Sequence, residues 1–272
     1  MIRRRLAGLV VVFFLLGAGC ATSPLGRSQL ILVSPQEMSA MGLQAFAQLK
    51  SERPLSSNAT QRRYVQCVAD AITNVLTRED MGVVVVRDWE TELFDDPTAN
   101  AFALPGGRMG VHTGLLDVAT SQHQLAAVMG HEVGHVLGRH GAERVSSQQA
   151  GALVMASAQE WAGASPEDRS RAMIAMGVGV GVQLGQLKYG RTHESEADEI
   201  GVMLMARAGF DPRESVTLWQ NMGRASGGQA PPEFLSTHPS GTTRIARLER
   251  AMPSAMAEYE RARAAGRRPS CR

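Results

Sequence analysis

The stretch VMGHEVGHVLGRH, residues 128–140, contains the residue types of a metal-dependent hydrolytic site. His131 and His135 are four residues apart, so on a helix both imidazoles project from one face toward one point. Glu132 lies on the flank of that face, where its carboxylate can accept a proton from a water molecule without binding the metal. This H-E-x-x-H spacing therefore predicts a Zn²⁺ site for hydrolysis. The alternative is a helix whose histidines make ordinary buried hydrogen bonds.

A catalytic zinc site needs a third protein ligand, with the fourth position left for water. His140 does not fit, because nine residues after His131 it projects to roughly the opposite side of a helix at ~100° per residue. We interpret it as a helix-end residue near the negative end of the dipole. In YGRTHESEADEIG, Glu194 and Asp198 are four residues apart and share a helical face. We expect Glu194 to be the third ligand and Asp198 to accept the N–H of a ligating imidazole.

Two neighbours of Glu194 are interpreted differently. His193 is a weaker competitor as a ligand, because it has no partner at the right spacing. Glu196 lies about 200° round the helix from Glu194 and is expected in solvent. A set of two imidazoles and one carboxylate suits Zn²⁺, and it also suits iron.

The elements that must position these residues are mostly helices. Ser121 followed by Gln124 indicates a helix start, and the metal-binding helix is expected to run from there to Gly138 or His140. Apolar periodicity and helical character predict further helices over residues 35–51, 58–78, 192–208, 212–222 and 240–262, and two within 142–190. The apolar segment 173–185 is too short to span a bilayer, so it is expected to be a buried or groove-lining helix.

One region of the chain predicts a sheet. GVVVVRDWE, residues 82–90, is short and β-branched, which favours a buried strand. AFAL and RMGVH flank the turn signal Pro105-Gly106-Gly107 and predict a hairpin. The expected fold class is therefore α+β and predominantly helical, with a small three- to four-stranded sheet before the metal-binding helix.

The first nineteen residues predict export. A basic start at residues 3–5 and an apolar run at 6–16 have the lengths of a secretory signal. Small residues then lead to Cys20, which resembles the acylated cysteine of bacterial lipoprotein signals. Gly17 stands where that signal usually has leucine, so simple cleavage or an uncleaved anchor is the alternative. Ala21 after Cys20 favours the outer membrane over the inner, by resemblance to sorting rules.

Charge and cysteine content bound the function further. The signal holds three of the 28 Lys and Arg side chains and none of the 26 acidic ones, so the mature chain is close to neutral. The overall balance gives no argument for nucleic-acid binding. The arginine-rich end of the chain is interpreted as a solvated terminus, with a lipid- or polyanion-binding patch as the alternative. With Cys20 lipidated, Cys67 and Cys271 form an even pair that can be a disulfide in an oxidising compartment, or can remain as thiols.

Together these motifs resemble the HtpX/BepA/LoiP group of gluzincin metallopeptidases, which are related to the CAAX-prenyl proteases. HEVGH followed by E-x-x-A-D carries the resemblance. It extends over about residues 97–250, through the elements NAFALPGG (100–107), HTGLLD (112–117), R-x-x-E-x-x-A-D from Arg191, and STHPSGTTRI (236–245). Gly190 departs from the pattern, because serine is common there. The lack of multiple membrane spans and of C-terminal repeats places the chain nearer the compact periplasmic lipoprotein branch.

The resemblance implies a role for each site residue. One Zn²⁺ per chain is held by His131, His135 and Glu194, and Glu132 activates the water and passes a proton to the leaving amine. A peptide substrate lies extended along the sheet edge formed by Asn100, Ala101, Phe102 and Ala103.

Two further residues have alternatives that remain open. His238 either donates a hydrogen bond to the developing oxyanion or caps the metal in a closed state. Arg244 orients His238 or the substrate, or it makes an ordinary ion pair.

The expected function is that of an exported zinc endopeptidase. Its partners would be unfolded or misassembled envelope proteins, and its location the bacterial periplasm, anchored by lipid to the outer rather than the inner membrane. The alternative is a zinc-stabilised, chaperone-like lipoprotein that binds peptides with little turnover. Glu132 favours the enzyme, because metal binding alone does not need it. The expected domains are a signal peptide (1–19), a lipidated tether (20–34), one metallopeptidase domain (35–262) and a basic tail (263–272).

Overall fold

The computed structural model describes residues 20–161, 190–225 and 242–272, together with Phe234, Ser236 and His238. The predicted signal peptide, the apolar segment 173–185 and most of the second helix expected within 142–190 lie outside these residues. In the described part of the chain, no helix has the length and apolar character that a membrane crossing requires.

The described residues are mainly helical, which confirms the predicted fold class. The helices are α1 (Pro35–Glu52), α2 (Ala59–Thr73), α3 (Arg78–Met81), α4 (Gln122–Leu137), α5 (His140–Trp161), α6 (Arg191–Arg207), α7 (Glu214–Ala225) and α8 (Thr242–Ala264). A 3₁₀ turn at Thr113–Asp117 precedes α4. The predicted helix over 58–78 ends earlier than expected, at Thr73, with Asn74 as its C-cap residue. The other predicted helices that fall on described residues match α1, α4, α6, α7 and α8, and the first of the two expected within 142–190 matches α5.

A three-stranded sheet precedes α4, the helix predicted to bind metal, as expected. Its strands are β3 (Glu90–Phe94), β4 (Ala101–Leu104) and β5 (Arg108–His112), in the order β3-β5-β4. Strands β4 and β5 form the predicted antiparallel hairpin, and β3 runs parallel to β5. The connection between β4 and β5 places Gly106 and Gly107 at φ 85° and 79°, which favours glycine at both positions. Strand β4 is therefore an edge of this sheet.

The predicted strand over 82–90 is wrong. The strand begins only at Glu90, which pairs with Arg108, the first residue of β5. Residues before Glu90 have no extended segment opposite them, because the chain turns at Gly106 and Gly107. The β-branched run therefore has no strand to pair with and does not form a strand. Val83, near its start, is 56% exposed.

Helix α4 lies at the centre of the fold, and every residue from Gln124 to Leu137 is buried. Its Gly130 and Gly134 lie directly against the backbone of α6. A Cβ added to Gly130 would lie 2.7 Å from Gly201 O, and one added to Gly134 would lie 2.7 Å from Ala197 O. Real Cβ atoms do not tolerate such distances, so the two glycines allow the helix backbones to approach. This contact brings the histidine-bearing face of α4 against the acidic face of α6.

The segment 20–34, expected to be a tether, contains an antiparallel hairpin of β1 (Cys20–Thr22) and β2 (Ser28–Leu30). The hairpin is held against the α4–α5 junction by side-chain hydrogen bonds. Gln29 Nε2 donates to Gly138 O at 2.7 Å, and Arg139 Nη2 donates to Thr22 O at 2.9 Å. After β2, Leu32 N donates to Ser146 Oγ at 2.7 Å.

The C-terminal tail is attached to the domain covalently. Cys67 of α2 and Cys271 form a disulfide across a sequence separation of 204 residues. Gln122 at the start of α4 bonds the same tail, donating to Pro269 O and accepting from Cys271 N. The tail is therefore fixed at its end, although the arginines before it are largely exposed.

Replacing both Cys67 and Cys271 by serine is expected to lower the free energy of unfolding by about 2–4 kcal/mol, because the cross-link restricts the unfolded chain. Urea unfolding of the double variant and of the wild type, with and without reductant, would measure the difference. Reduced wild type should unfold like the variant. Equal stability of the oxidised wild type and the variant would contradict the prediction.

Candidate active site

Four side chains from three parts of the chain direct their ligand atoms to one point. Helix α4 supplies His131 and His135, α6 supplies Glu194, and His238 precedes α8; together they form a group that could hold a metal ion. His131 Nε2 lies 3.0 Å from His135 Nε2 and 3.1 Å from His238 Nδ1. Glu194 Oε1 lies 3.1 Å from His238 Nδ1 and 3.5 Å from His135 Nε2. All four residues are buried.

The spacing of these donor atoms fits a small tetrahedral cation. Zn–N bonds of about 2.0–2.1 Å place two tetrahedral ligands about 3.3–3.4 Å apart. Five of the six donor pairs, counting either oxygen of Glu194, are separated by 3.0–3.5 Å, and the four ligand atoms all lie within 4.8 Å of one another. Imidazole nitrogen and carboxylate oxygen are also the donor types that zinc accepts. The residues present therefore fit a divalent metal ion in both geometry and chemistry.

Asp198 lies behind His131, one turn of α6 after Glu194. Its Oδ1 is 2.9 Å from His131 Nδ1, on the ring edge opposite the donor cluster. A proton on Nδ1 leaves the lone pair of Nε2 toward the cluster, which is the tautomer a metal requires. Asp198 is fully buried, which raises its pKa, but Arg244 and His131 outweigh burial and the pKa is lowered.

Arg244 joins both carboxylates from the first turn of α8. Its Nη2 donates to Glu194 Oε2 at 2.7 Å, and its Nε donates to Asp198 Oδ2 at 2.6 Å. Its Nη1 also donates to the backbone oxygen of His238 at 3.3 Å. The guanidinium lies 3.7 Å above the ring centroid of Trp219. Both alternatives considered for Arg244 thus have a structural basis, an ion pair and a contact with His238.

Glu132 lies beside the donor cluster without belonging to it. Its Oε2 accepts a hydrogen bond from Ala103 N at 3.2 Å. Its Oε1 lies 3.4 Å from His238 Nε2 and makes no hydrogen bond to the described residues. Burial is the largest influence on this carboxyl and raises its pKa. A buried carboxylate oxygen that makes no hydrogen bond to the described residues and lies next to this donor cluster is suited to accept a proton.

The residues expected to bind substrate lie on the edge strand beside Glu132. Asn100 O accepts from His112 N of β5, so the N–H groups of Ala101 and Ala103 point away from β5. Ala101 N donates to the side-chain oxygen of Asn100 at 2.9 Å, and Ala103 N donates to Glu132. The ring of Phe102 packs directly against Gly110 of β5. A Cβ added to Gly110 would lie 2.2 Å from Cζ of Phe102.

The expectation that Glu196 is solvated is wrong. Glu196 is 4% exposed, because α5 and the N-terminal hairpin cover that side of α6. Its Oε2 lies 3.1 Å from His140 Nε2 and 3.1 Å from Arg27 Nε. Burial would raise the pKa of Glu196, but hydrogen bonds from His140 and others outweigh it and hold the pKa at about 2.

His140 and His193, the two histidines that sequence analysis rejected or ranked lower as ligands, lie outside the donor cluster. His140 is the first residue of α5, and its Nδ1 lies 2.8 Å from His135 Nδ1. His193 Nε2 lies 3.1 Å from Glu143 Oε2 on α5. Sequence reasoning did not identify the roles of Glu143, Arg27 and His140 here. Their contacts join segments far apart in the chain, and no local pattern predicts them.

Comparison with known proteins agrees with this site. Residues 58–252 match the family described as Peptidase family M48. The chain is 35% identical over 225 residues to mitochondrial metalloendopeptidase OMA1 of Schizosaccharomyces pombe, covering 81% of this chain and 62% of the relative. It is 33% identical over 259 residues to mitochondrial metalloendopeptidase OMA1 of Bos taurus, covering 91% and 48%. It is 30% identical over 221 residues to the beta-barrel assembly-enhancing protease of Escherichia coli, covering 78% and 42%.

The chain thus spans about half the length of the curated relatives it matches. The family match itself covers most of the chain and includes α4 and α6 with the histidines and the glutamate of the donor cluster that these helices carry. On that evidence the chain belongs to peptidase family M48.

Proposed function

We propose that the protein is a zinc-dependent endopeptidase in which His131, His135 and Glu194 bind the ion. The observation that carries the proposal is the buried donor cluster with the Glu132 carboxylate beside it. A bound zinc ion would polarise the scissile carbonyl and lower the pKa of a water molecule. Zinc is the proposed ion because two imidazoles, one carboxylate and a position left for water are the ligand set of catalytic zinc sites.

The residues of the chain have separate tasks in this reaction. Glu132 accepts the proton of the attacking water at Oε1 and passes it to the leaving amine. The bond from Ala103 N to Oε2 orients the carboxylate while leaving Oε1 for the proton. Asp198 holds His131 in the metal-binding tautomer, and Arg244 holds Asp198 and Glu194 together.

Strand β4 is the proposed binding edge for an extended peptide. The outward N–H groups of Ala101 and Ala103 are held by side chains in this conformation, so a peptide carbonyl must replace Asn100 or Glu132 to pair there. An apolar pocket opens beside His135 and Ala103 and includes Val33, Met38 and Pro105. We propose that it accepts an aliphatic side chain of the substrate, which suits unfolded polypeptides.

His238 is proposed to cap the metal in a closed, resting state. Its Nδ1 lies among the donor atoms, so it would occupy the fourth position that a water needs for catalysis. Its Nε2 lies 3.4 Å from Glu132 Oε1, the oxygen assigned to the proton. In this conformation the geometry favours a role for His238 as a cap on the metal over a role as a hydrogen-bond donor to the oxyanion.

His238→Ala is expected to increase the rate of casein cleavage by about 10-fold, which corresponds to removing about 1.4 kcal/mol of bias toward the closed state. Initial rates at saturating casein, with zinc content measured in parallel, would test this. A fall in kcat at unchanged zinc content would instead assign His238 to the oxyanion.

The cellular role is proposed from the N-terminal sequence and the relatives. We propose that Cys20 is acylated and anchors the enzyme in the periplasm of a bacterium, at the outer membrane. Unfolded or misassembled envelope proteins are the proposed substrates, supported by the name of the Escherichia coli relative, a beta-barrel assembly-enhancing protease. Nucleic acid is not a proposed partner.

The proposal is tested by metal content and proteolysis of the purified protein. One zinc per chain is expected, with casein cleavage that a chelator abolishes and zinc restores. Lack of stoichiometric zinc would overturn the proposal. One zinc with no cleavage, by either the wild type or His238→Ala, would support the alternative of a peptide-binding, chaperone-like protein.

A further inference from the structure

We propose that Glu196 fixes the tautomer and ring orientation of His135 through His140, and that Arg27 of the N-terminal hairpin holds Glu196 in place. The proposal rests on the proposed function, because it takes His135 as a metal ligand. It assigns Glu196 and Arg27 as positioning residues outside the metal-ligand motifs.

The contacts form a continuous path from the hairpin to the metal site. His135 turns Nε2 toward the donor cluster, so Nδ1 lies on the opposite edge of its ring, 2.8 Å from His140 Nδ1. His140 Nε2 lies 3.1 Å from Glu196 Oε2. Arg27 Nε donates to that same oxygen at 3.1 Å.

The order of the protons along this path follows from its two ends. A carboxylate only accepts hydrogen bonds, so the proton of His140 lies on Nε2, toward Glu196. His140 is fully buried, which favours the neutral ring with a single proton. Its Nδ1 is then an acceptor, and His135 must donate from its own Nδ1. The lone pair of His135 Nε2 is thereby left toward the metal site, as a ligand requires.

The same logic holds at the other metal-binding histidine, with one link fewer. Asp198 accepts directly from His131 Nδ1, and Arg244 donates to Asp198. Each of the two donor-cluster imidazoles on α4 therefore leads to a buried carboxylate that is paired with an arginine. For His131 the arginine comes from α8, and for His135 it comes from the hairpin that begins at Cys20.

The surroundings of His140 and Arg27 are consistent with this arrangement. Gly138 leaves room for the His140 ring, since an added Cβ would lie 2.5 Å from His140 Nε2. Arg27 also makes a two-pronged contact with Glu143, at 2.8 and 2.7 Å, and so bridges carboxylates of α5 and α6. Glu196 is only 4% exposed, and burying its carboxylate would be unfavourable without the ion pair to Arg27.

The test compares zinc affinity and histidine tautomers in full-length variants. Glu196→Gln can offer His140 a donor in place of an acceptor, which permits the opposite proton order. Arg27→Met removes the guanidinium but keeps an aliphatic stem, and Arg27→Lys restores the charge. Arg139→Met is the matched control, because Arg139 contacts the hairpin at Thr22 and Gln29 without touching Glu196. Zinc affinity is measured by chelator competition, and tautomers by ¹⁵N spectra of labelled histidine.

We expect Glu196→Gln to bind zinc about 10- to 100-fold more weakly than the wild type, as is typical for groups that orient a metal ligand. Arg27→Met should show a smaller loss in the same direction, with partial recovery in Arg27→Lys, and Arg139→Met should match the wild type. The ¹⁵N spectrum of zinc-loaded wild type should show His140 protonated on Nε2.

Three results would overturn the inference. One is wild-type zinc affinity in Glu196→Gln. Another is an equal loss in Arg139→Met and Arg27→Met, which would assign the effect to hairpin docking alone. The third is a His140 proton on Nδ1. If the wild type binds zinc and cleaves casein while Glu196→Gln behaves identically, only this inference fails; if the wild type binds no zinc, the proposed function fails with it.

Discussion

Glu132→Gln is expected to retain one zinc per chain while its kcat on casein falls by about 100- to 10,000-fold. The amide has the shape of the carboxylate, and its oxygen can still accept the hydrogen bond from Ala103 N. It cannot accept a proton from water at the position of Oε1. The metal ligands are left intact, because Glu132 lies outside the donor cluster. Zinc content and kcat on the same preparation would measure both expectations.

Glu199→Gln is the matched control for this change. Glu199 lies on α6 close to Glu194 in sequence, but it is exposed. The control should keep both the zinc and the kcat of the wild type. A Glu132→Gln enzyme with wild-type kcat would remove Glu132 from the mechanism. Loss of zinc in Glu132→Gln would instead show that its carboxylate supports the metal site.

The parts of the site that follow from local geometry could be predicted from sequence. His131 and His135 share a face because they are four residues apart, and the same holds for Glu194 and Asp198. The helix that carries the histidines begins after Ser121, as predicted. The Ser121 hydroxyl accepts a hydrogen bond from Gln124 N. The need for a third ligand and the spacing of Glu194 and Asp198 predicted that the two helices share one site, and the resemblance to a family implied the same. The physical basis of their contact, the close approach at Gly130 and Gly134, was not used.

The errors share a physical cause. Each depended on how neighbouring segments are arranged in the folded chain, which no local sequence pattern encodes. Glu196 points away from Glu194 on α6, as expected, but that side is covered by α5 and by the hairpin carrying Arg27. The run before Glu90 has the composition of a strand but no strand to pair with. Side-chain composition indicated what each segment could do, and the neighbouring segments decided the outcome.

The role of His238 could be predicted from the sequence only in part. The resemblance suggested either an oxyanion donor or a metal cap, and sequence spacing does not distinguish the two roles. Its Nδ1 lies among the donor atoms, and Phe234 stacks on its ring with centroids 4.5 Å apart. A choice between the roles needed these distances, because they depend on where Phe234 and His238 lie relative to His131 of α4.

Arg244→Leu is expected to lower the free energy of unfolding by about 3–5 kcal/mol, since it removes one partner of a buried ionic network. Arg244 is 3% exposed and donates to both Glu194 and Asp198. Without it, the two buried carboxylates repel each other and Asp198 has lost its cation. Urea unfolding of zinc-free protein would measure the effect, and chelator competition would measure the change in zinc affinity.

Two further variants separate the roles of Arg244. Arg244→Lys keeps the charge but not the planar fork that serves both carboxylates, so we expect an intermediate loss of stability. Arg250→Leu, at an exposed position of the same helix, should change stability by no more than about 0.5 kcal/mol. If Arg244→Leu loses stability but binds zinc like the wild type, Arg244 is an ordinary buried ion pair. If zinc affinity falls as well, Arg244 positions the ligand Glu194 and, through Asp198, the ligand His131. Wild-type stability in Arg244→Leu would contradict both roles.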